Sequence, residues 1–280
     1  MTRAAAYAYS LLRASVPSPD VLVLALARPP VNAFSTDLFA QLRDAFAQAS
    51  RDEDVRCVVL TSDVGKGFTA GLDLHASDLM RQASDPARTA LLLRDHIDHL
   101  QRCVSAIQDC EKPVVCAVHG LCFGAGIDIM SACDVRYCAE GSIFSIKEVD
   151  IGLAADIGSL QRLPKVTGNA SLVAEYALTA RNFGPPEAER MGLVSATVGG
   201  GKDGVRDKAL EVARVIASKS PIATLSTKHL LNYSREHTVQ EGLQYTQAWN
   251  MAMIQASDIP AAFEAFATKK PAKFEKLAKL

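Results

Sequence analysis

Neither an excess of one charge nor a long apolar run marks this sequence of 280 residues. The formal net charge is −1, so no overall positive field favours binding to nucleic acid. The longest apolar runs, such as Val21–Ala27 and Val114–Val118, are far shorter than the ~20 residues that a membrane-spanning helix needs. We therefore predict a soluble protein with no nucleic-acid partner and no membrane span.

The sequence also lacks the patterns of several enzyme classes. Its seven cysteines are odd in number, and no two have the C-x-x-C spacing of thiolate metal sites, so buried, reduced thiols in an intracellular compartment are expected. Aromatic residues make up only 6%, too few for the sugar platforms of a glycosidase. No G-x-S-x-G motif supports a serine hydrolase. Gly124-Ala125-Gly126 has no third glycine at the spacing that binds a dinucleotide.

What is present is an ordinary globular mixture, 49% apolar and 22% charged. Short buried-strand patterns, such as Val21–Leu26, Val55–Thr61 and Pro113–His119, alternate with helical patterns such as Asp37–Ala49. After Asn169 the pattern is largely helical. The alternation predicts an α/β fold whose C-terminal part is made of helices.

Three regions are expected along the chain: an N-terminal extension at 1–19, a core at 20–200 and a C-terminal helical region at 201–280. The first region contains Arg3 and Arg13 and no acid before Asp20, a composition similar to a mitochondrial presequence. The last three residues, Ala278-Lys279-Leu280, resemble the Ser-Lys-Leu peroxisomal signal with Ala in place of Ser. The two ends therefore permit either organelle.

Two glycine-containing turns each follow a buried strand: Phe68–Leu74 and His119–Asp128. Small residues let the backbone approach a bound group, and the start of a helix presents free N–H donors. Two such turns facing each other can hold one carbonyl oxygen while negative charge develops on it. The alternative is that the glycines only allow a helix to pack tightly against the sheet.

Three acids lie in apolar surroundings downstream of the second turn: Asp128, Glu148 and Asp156. Burial among aliphatic groups raises a carboxyl pKa, which allows general acid–base catalysis near neutral pH. The alternatives are that Glu148 pairs with Lys147 or an arginine, and that Asp156 caps a helix. His96 and His99, at i and i+3 of a predicted helix, favour a solvated helix face over a metal site. No metal site is predicted.

The segments Phe68–Leu74, Lys112–Asp134 and Phe144–Lys165 resemble the signature regions of the enoyl-CoA hydratase/isomerase (crotonase) superfamily. More narrowly, Ser145–Gly158 and Leu160–Lys165 are similar to the Δ3,5-Δ2,4-dienoyl-CoA isomerases. Hydratases usually carry glutamates at the first two of the three acid positions and no acid at the third. The resemblance implies a spiral of ββα units, a C-terminal helical region that builds trimers or hexamers, and an acyl-CoA thioester as substrate.

The resemblance also assigns roles to residues. The backbone N–H groups of Leu72 and Ala125 would hold the thioester oxygen, and Glu148 would be the acid beside the α-carbon. Asp156 would be the acid further along the acyl chain, and Asp128 would lie between the two. The substrate-binding set is Ala70, Gly71, Leu72, Asp73, Leu74 and Ala125. Related sequences often have glycine where this chain has Ala125, so that donor requires a negative φ.

The activity implied is isomerisation of a 3,5-dienoyl-CoA to the 2,4-dienoyl isomer by a 1,5 proton shift, a step of unsaturated fatty acid β-oxidation. No metal or redox cofactor is expected, because the conjugated thioester is itself the electron sink and CoA is part of the substrate. The Ala-Lys-Leu end then favours the peroxisome, with the mitochondrion as the alternative. The rival activities are enoyl-CoA hydratase and a catalytically inactive scaffold.

Overall fold

The computed structural model describes residues 3–73 and 84–277. Within them, the strands are β1 (Leu12–Ser18), β2 (Val21–Leu26), β3 (Cys57–Ser62), β4 (Gly67–Thr69), β5 (Val114–Val118), β6 (Leu121–Phe123), β7 (Val135–Ala139), β8 (Ile143–Ser145) and β9 (Ala196–Val198). They form a larger sheet in the order β1-β2-β3-β5-β7-β9 and a smaller sheet in the order β4-β6-β8. Only the β1–β2 pair is antiparallel among these described strands.

The helices in the same part of the chain are α1 (Thr36–Arg51), α2 (Pro86–Asp109), α3 (Ala125–Ser131), α4 (Ser159–Val166), α5 (Ala170–Thr179), α6 (Pro185–Arg190), α7 (Gly201–Ala217), α8 (Pro221–Ser234), α9 (Val239–Met253) and α10 (Asp258–Thr268). A strand of the larger sheet is followed by one of the smaller sheet and then by a helix, as in β3-β4-α2 and β5-β6-α3. The predicted α/β spiral of ββα units is therefore confirmed.

Both faces of the larger sheet are buried, which explains its almost continuous apolar strands. In β2 the side chains alternate: Leu22 and Leu24 join the core cluster that includes α1 and α2, whereas Val21 and Val23 join the cluster that includes α7. Since successive strand residues point to opposite faces, one apolar strand supplies both layers. Helix α7, the first helix of the predicted C-terminal helical region at 201–280, therefore packs against the larger sheet.

Helix α1 forms where the apolar spacing predicts it. Leu38, Leu42 and Phe46 are completely buried along one stripe, as 3.6-residue periodicity requires. The hydroxyl of Ser35 accepts a hydrogen bond from the Leu38 amide, which satisfies one of the free donors at the start of the helix.

The larger sheet begins earlier than the sequence indicates, inside the region predicted as an N-terminal extension. Strand β1 pairs with β2 from Leu12 opposite Leu26 to Ser18 opposite Val21. Before it, Tyr7 is buried and its hydroxyl donates to Asp52 Oδ2 at 2.9 Å. Strand β1 lies at the sheet edge, where polar residues and proline are tolerated, so its sequence carries little apolar signal.

Helix α8 is held on the core by the buried ammonium of Lys228. It forms an ion pair with Asp134 Oδ2 at 2.9 Å and donates to the carbonyl oxygens of Ile107 at 3.2 Å and Lys112 at 3.1 Å. These contacts satisfy all three of its donors, as a buried cation requires. Among the described residues, no helix is long and apolar enough to cross a membrane.

Candidate active site

The smaller sheet brings three functional segments to one edge. Its strands are parallel, with Leu121 opposite both Gly67 and Ile143. The carboxyl ends of parallel strands lie at the same edge, where α/β folds commonly bind ligands. Residues 70–73 leave β4 at this edge, Gly124 and Ala125 leave β6, and Glu148 lies three residues beyond β8. Strand β6 lies within the predicted turn His119–Asp128, and three residues are too few to show periodicity.

The first two segments touch each other, and Glu148 touches the second. A methyl group on Gly71, whose φ is +96°, would lie 3.1 Å from the carbonyl oxygen of Phe123. A methyl group on Gly124 would lie 3.8 Å from the Gly71 Cα and 3.4 Å from Glu148 Oε1. The predicted facing turns are therefore in contact, and the Glu148 carboxylate lies beside them.

One glycine of the second turn also serves packing, the alternative that the sequence left open. A methyl group on Gly126 would lie 2.7 Å from the Thr69 Cγ2 and 3.0 Å from the Cys122 sulfur. No side chain fits at those distances without movement of the neighbours. The glycine at 126 allows close packing of α3, while Gly124 leaves room for the Glu148 carboxylate.

The amides of Leu72 and Ala125 are free to bind a ligand. Phe34 brackets Leu72, because its N–H donates to the Gly71 carbonyl at 2.8 Å and its carbonyl accepts from the Asp73 N–H at 3.0 Å. This parallel bridge leaves the Leu72 amide pointing the other way. Ala125 is the first residue of α3, whose N–H has no acceptor within the helix. Neither amide donates to another group among residues 3–73 and 84–277.

Ala125 does not adopt the positive φ that an alanine side chain disfavours. Positive φ is adopted by Gly124, at +50°, and not by Ala125. The Gly124 amide donates to the Ser145 carbonyl at 2.9 Å, which ties the second turn to β8. Replacement of a glycine by Ala125 therefore leaves the backbone donor in place.

The remaining predicted binding residues surround the first turn. The amide of Ala70 donates to the Val31 carbonyl at 2.9 Å, and its side chain is exposed. Asp73 forms an ion pair with Arg28 at 2.6 Å, and the Arg28 guanidinium also donates to the Ala33 carbonyl. These contacts brace the turn against the chain after β2. Leu74, also predicted to bind substrate, lies outside the described residues.

Asp128 is completely buried on α3. Its Oδ1 accepts a hydrogen bond from the Ser159 amide, and its Oδ2 has no partner among the described residues. Its pKa is raised to about 7, chiefly by burial and in part by the Glu148 charge, against the lowering effect of hydrogen bonding to Ser159. Asp128 can therefore hold a proton near neutral pH.

Glu148 is half-buried at the start of a 3-10 turn, Glu148–Ile151, and its Oε2 has no partner among the described residues. Burial raises its pKa, and the Asp156 charge adds to the increase. The predicted alternative, an ion pair with Lys147, does not form, because the Lys147 ammonium contacts Asp150 at 3.0 Å. Glu148 is thus a carboxylate that lies beside the second turn and has one oxygen without a partner among the described residues.

Asp156 reaches the surface, and partial burial raises its pKa while the His96 charge lowers it. Its backbone carbonyl accepts from the Gln101 side chain at 2.6 Å, which ties the loop to α2. It does not cap a helix, since the residue that precedes α4 is Gly158. The charge of Asp156 contributes to the raised pKa of Glu148, so the two acids lie within electrostatic reach of each other.

Sequence reasoning missed the arginine that lies beside Asp128. A methyl group on Gly158 would lie only 1.9 Å from Arg162 Nη1, so the glycine makes room for the guanidinium. Two polar side chains of α2 fix that group: Gln108 Oε1 and Ser105 Oγ each accept at 2.9 Å. The positive charge lowers the pKa of Asp128 in part. Its partners on α2 lie more than fifty residues earlier in the sequence, so no local motif predicts these contacts.

Comparison with known proteins agrees with this arrangement. The family model described as Enoyl-CoA hydratase/isomerase matches residues 18–277. A human protein named Delta(3,5)-Delta(2,4)-dienoyl-CoA isomerase, mitochondrial, is 46% identical over 98% of this chain and 84% of its own length. An Arabidopsis thaliana protein with the same activity name, designated peroxisomal, is 41% identical over 92% of this chain and 94% of its own. The crystal structure of an enoyl-CoA hydratase from Bacillus anthracis superposes with a TM-score of 0.86 at 25% identity, covering 95% of this chain and 99% of that one.

Proposed function

Because this chain belongs to the enoyl-CoA hydratase/isomerase family, we propose that it converts a 3,5-dienoyl-CoA thioester to the 2,4-dienoyl isomer in unsaturated fatty acid β-oxidation. The observation that carries the proposal is the Glu148 carboxylate beside two turns whose Leu72 and Ala125 amides donate to no group among the described residues, with Asp156 within electrostatic reach of Glu148. The relatives that share this activity name, at 46% and 41% identity, support it.

The geometry suggests how the residues divide the work. The thioester oxygen binds the amides of Leu72 and Ala125, which stabilise the negative charge that develops there. Glu148, beside the second turn, removes a proton from C2. The electrons delocalise into a conjugated trienolate, and Asp156 donates a proton at C6. Asp128, buried next to Glu148, holds its own proton and so limits negative charge around the pair.

The setting of Asp128 favours an isomerase over a hydratase. A hydratase needs two acids that hold and deliver one water. In this chain Asp128 is completely buried, and one of its oxygens already accepts the Ser159 amide. Only Glu148 then remains at the hydratase position, whereas Asp156 supplies an acid further along the acyl chain. No cofactor is required in this scheme, because the conjugated thioester accepts the electrons.

Purified protein should therefore isomerise a 3,5-dienoyl-CoA, followed by the absorbance of the 2,4-dienoyl product, with a higher kcat/KM than it shows for hydration of a 2-enoyl-CoA. Isomerase activity should survive dialysis against EDTA. Faster turnover of the 2-enoyl substrate would establish the hydratase instead. Turnover of neither substrate would indicate an inactive scaffold.

We also propose that the protein assembles as a homotrimer or a hexamer through its last two described helices. Large apolar side chains of these helices, and of the turn between them, are exposed to solvent: Val239, Leu243, Met251, Ile254, Phe263 and Phe266, the last 87% exposed. Exposed apolar side chains in this number are typical of an interface between protein chains. Light scattering should give three or six times the 30.0 kDa chain mass. The double variant Phe263→Asp/Phe266→Asp should lower that mass, whereas Leu178→Asp, exposed on α5, should not.

The relatives bear both mitochondrial and peroxisomal names, so either organelle is compatible with the proposed activity. The peroxisomal location expected from Ala278-Lys279-Leu280 stays a prediction, because these residues lie outside the described part of the chain. Cell fractionation against markers of the two organelles would test it.

A further inference from the structure

A cavity of about 310 Å³ lies between α2, α4 and the residues that follow α8. None of the described residues that line it belongs to the two turns of the active site or to the three acids. Gln161 and Glu236, which line it, are exposed, so the cavity is open to solvent. Its volume is at the lower end of the range for small-molecule sites. The proposed isomerisation gives this cavity no role.

The charged side chains of the cavity wall are mostly positive. Arg162 and Lys165 come from α4, and Arg235 directly follows α8. Glu236 is the one acid that lines the cavity in the part of the chain that the structure describes. The wall thus has two more positive than negative charges, although the whole chain has a net charge of −1. A concave surface with one predominant sign of charge attracts a ligand of the opposite sign.

Both guanidinium groups of the wall keep unused hydrogen-bond donors. Arg162 donates from Nε to Gln108 Oε1 and from Nη2 to Ser105 Oγ, each at 2.9 Å, and its Nη1 donates to no described residue. Arg235 donates from Nη1 to Asn232 Oδ1 at 2.8 Å, and its Nε and Nη2 have no acceptor within residues 3–73 and 84–277. Since a guanidinium carries five N–H donors, both groups can bind a further acceptor. The α2 side chains hold Arg162 in place beforehand.

The third cation of the wall can also reach a ligand. The Lys165 ammonium forms an ion pair with the Glu236 carboxylate, and both side chains are largely exposed. An ion pair in solvent contributes little to stability, so a ligand with a stronger negative charge can take the place of the carboxylate. Glu236 is therefore a competitor for the same ammonium, and its removal should favour an anionic ligand.

Two other cavities near α8 do not have this character. A cavity of about 260 Å³ between α8, α9 and α10 is mostly apolar, and Asp258 is the one charged group among its described lining residues. A cavity of about 230 Å³ is lined by the acids Asp109 and Glu111 and by Lys228. The three donors of Lys228 are already used by Asp134 and two backbone carbonyls. Neither cavity suits an anion.

We propose that the cavity between α2, α4 and the end of α8 binds a small molecule that carries a phosphate group. A phosphate ester has a charge of about −2 near pH 7 and three strong acceptor oxygens. Arginine forks match that geometry, and Arg162, Lys165 and Arg235 supply the donors. The rest of the molecule packs against Ile157 and Val166, the apolar part of the wall. The bound ligand connects α4 to the end of α8, and through Arg162 to α2.

The test measures the binding of inorganic phosphate to the full-length protein by titration calorimetry, with the ionic strength held constant by sodium chloride. Wild-type protein should bind one phosphate per chain. Arg235→Gln should weaken the affinity by about 10-fold, the loss expected for one charge-assisted hydrogen bond. The matched control is Lys208→Gln, which removes a positive charge from α7, where the ammonium pairs with Glu211 at 3.0 Å. It should bind phosphate as wild type does.

A variant that gains affinity makes the test independent of any folding defect. Glu236→Gln removes the one acid of the wall and frees the Lys165 ammonium, so it should tighten phosphate binding by about 2- to 5-fold. Phosphate should also raise the Tm of wild-type protein, because it binds only the folded chain. Unchanged or weaker binding in Glu236→Gln would overturn the proposal, as would equal affinities in Arg235→Gln and wild type.

A last measurement separates this site from the phosphates of the proposed substrate. Saturating CoA should leave the affinity for inorganic phosphate unchanged. Displacement of phosphate by CoA would overturn the proposal, because the cavity would then belong to the acyl-CoA site. All of these measurements are made without turnover, so they do not depend on the proposed isomerase activity.

Discussion

Glu148→Gln should lower kcat for a 3,5-dienoyl-CoA by at least about 100-fold, because the amide cannot remove the C2 proton. Glutamine has almost the same shape as glutamate, so it fits in the same space. That space is narrow, because a methyl group added to Gly124 would lie 3.4 Å from Glu148 Oε1. KM should change little, since the amides of Leu72 and Ala125 still bind the thioester oxygen. Steady-state kinetics on purified protein would measure both parameters.

The matched control for this substitution is Asp150→Asn, two residues further along the same 3-10 turn. Asp150 is exposed and pairs with Lys147 at 3.0 Å, away from the two turns. Its replacement should leave kcat within about 2-fold of wild type, as expected for a weak surface ion pair. Similar losses in both variants would mean that the turn tolerates no change and that Glu148 has no special role.

The pH dependence of kcat/KM should also reveal the role of Glu148 as the base. Glu148 acts as a base only when ionised, and burial together with the Asp156 charge raises its pKa. A raised pKa means that the carboxylate form is lost at a higher pH than for an ordinary glutamate. The acid limb of the wild-type profile should therefore lie above the usual glutamate range, and the residual activity of Glu148→Gln should lack it.

The sequence predicts those elements whose burial is regular. Helix α1 carries a complete 3.6-residue stripe, and β2 and β5 are apolar along their whole length because both faces of their sheet are covered. The strands of the smaller sheet have three residues each, too few for any period to appear. Strand β1 is not predicted for another reason. It lies at the sheet edge, where a strand has only one neighbour and tolerates polar residues.

The site also contains some residues that the sequence predicts and others that it does not. Asp128, Glu148 and Asp156 stand out because acids are rare in apolar surroundings, and in the structure Glu148 lies within electrostatic reach of each of the other two. Arg162 does not stand out, because its partners Ser105 and Gln108 lie more than fifty residues away in the chain.

Asp156→Asn should separate the two halves of the proton shift. The asparagine cannot protonate C6, so isomerisation should fall by at least about 100-fold. Glu148 and the two amides are untouched, so removal and return of the C2 proton should continue. In D2O the unreacted 3,5-dienoyl-CoA should therefore gain deuterium at C2, which NMR would detect while almost no 2,4-dienoyl product forms.

The double variant Glu148→Gln/Asp156→Asn tests whether the two acids act together in one reaction. If the two acids serve one reaction coordinate, the second substitution should add little to the loss in isomerisation caused by the first, because groups that act as a unit are not additive. It should also abolish the deuterium exchange that Asp156→Asn retains. Loss of exchange already in the single Asp156→Asn variant would contradict this division of roles. It would mean that Asp156 is needed to create the reactive state of Glu148, with which its charge interacts.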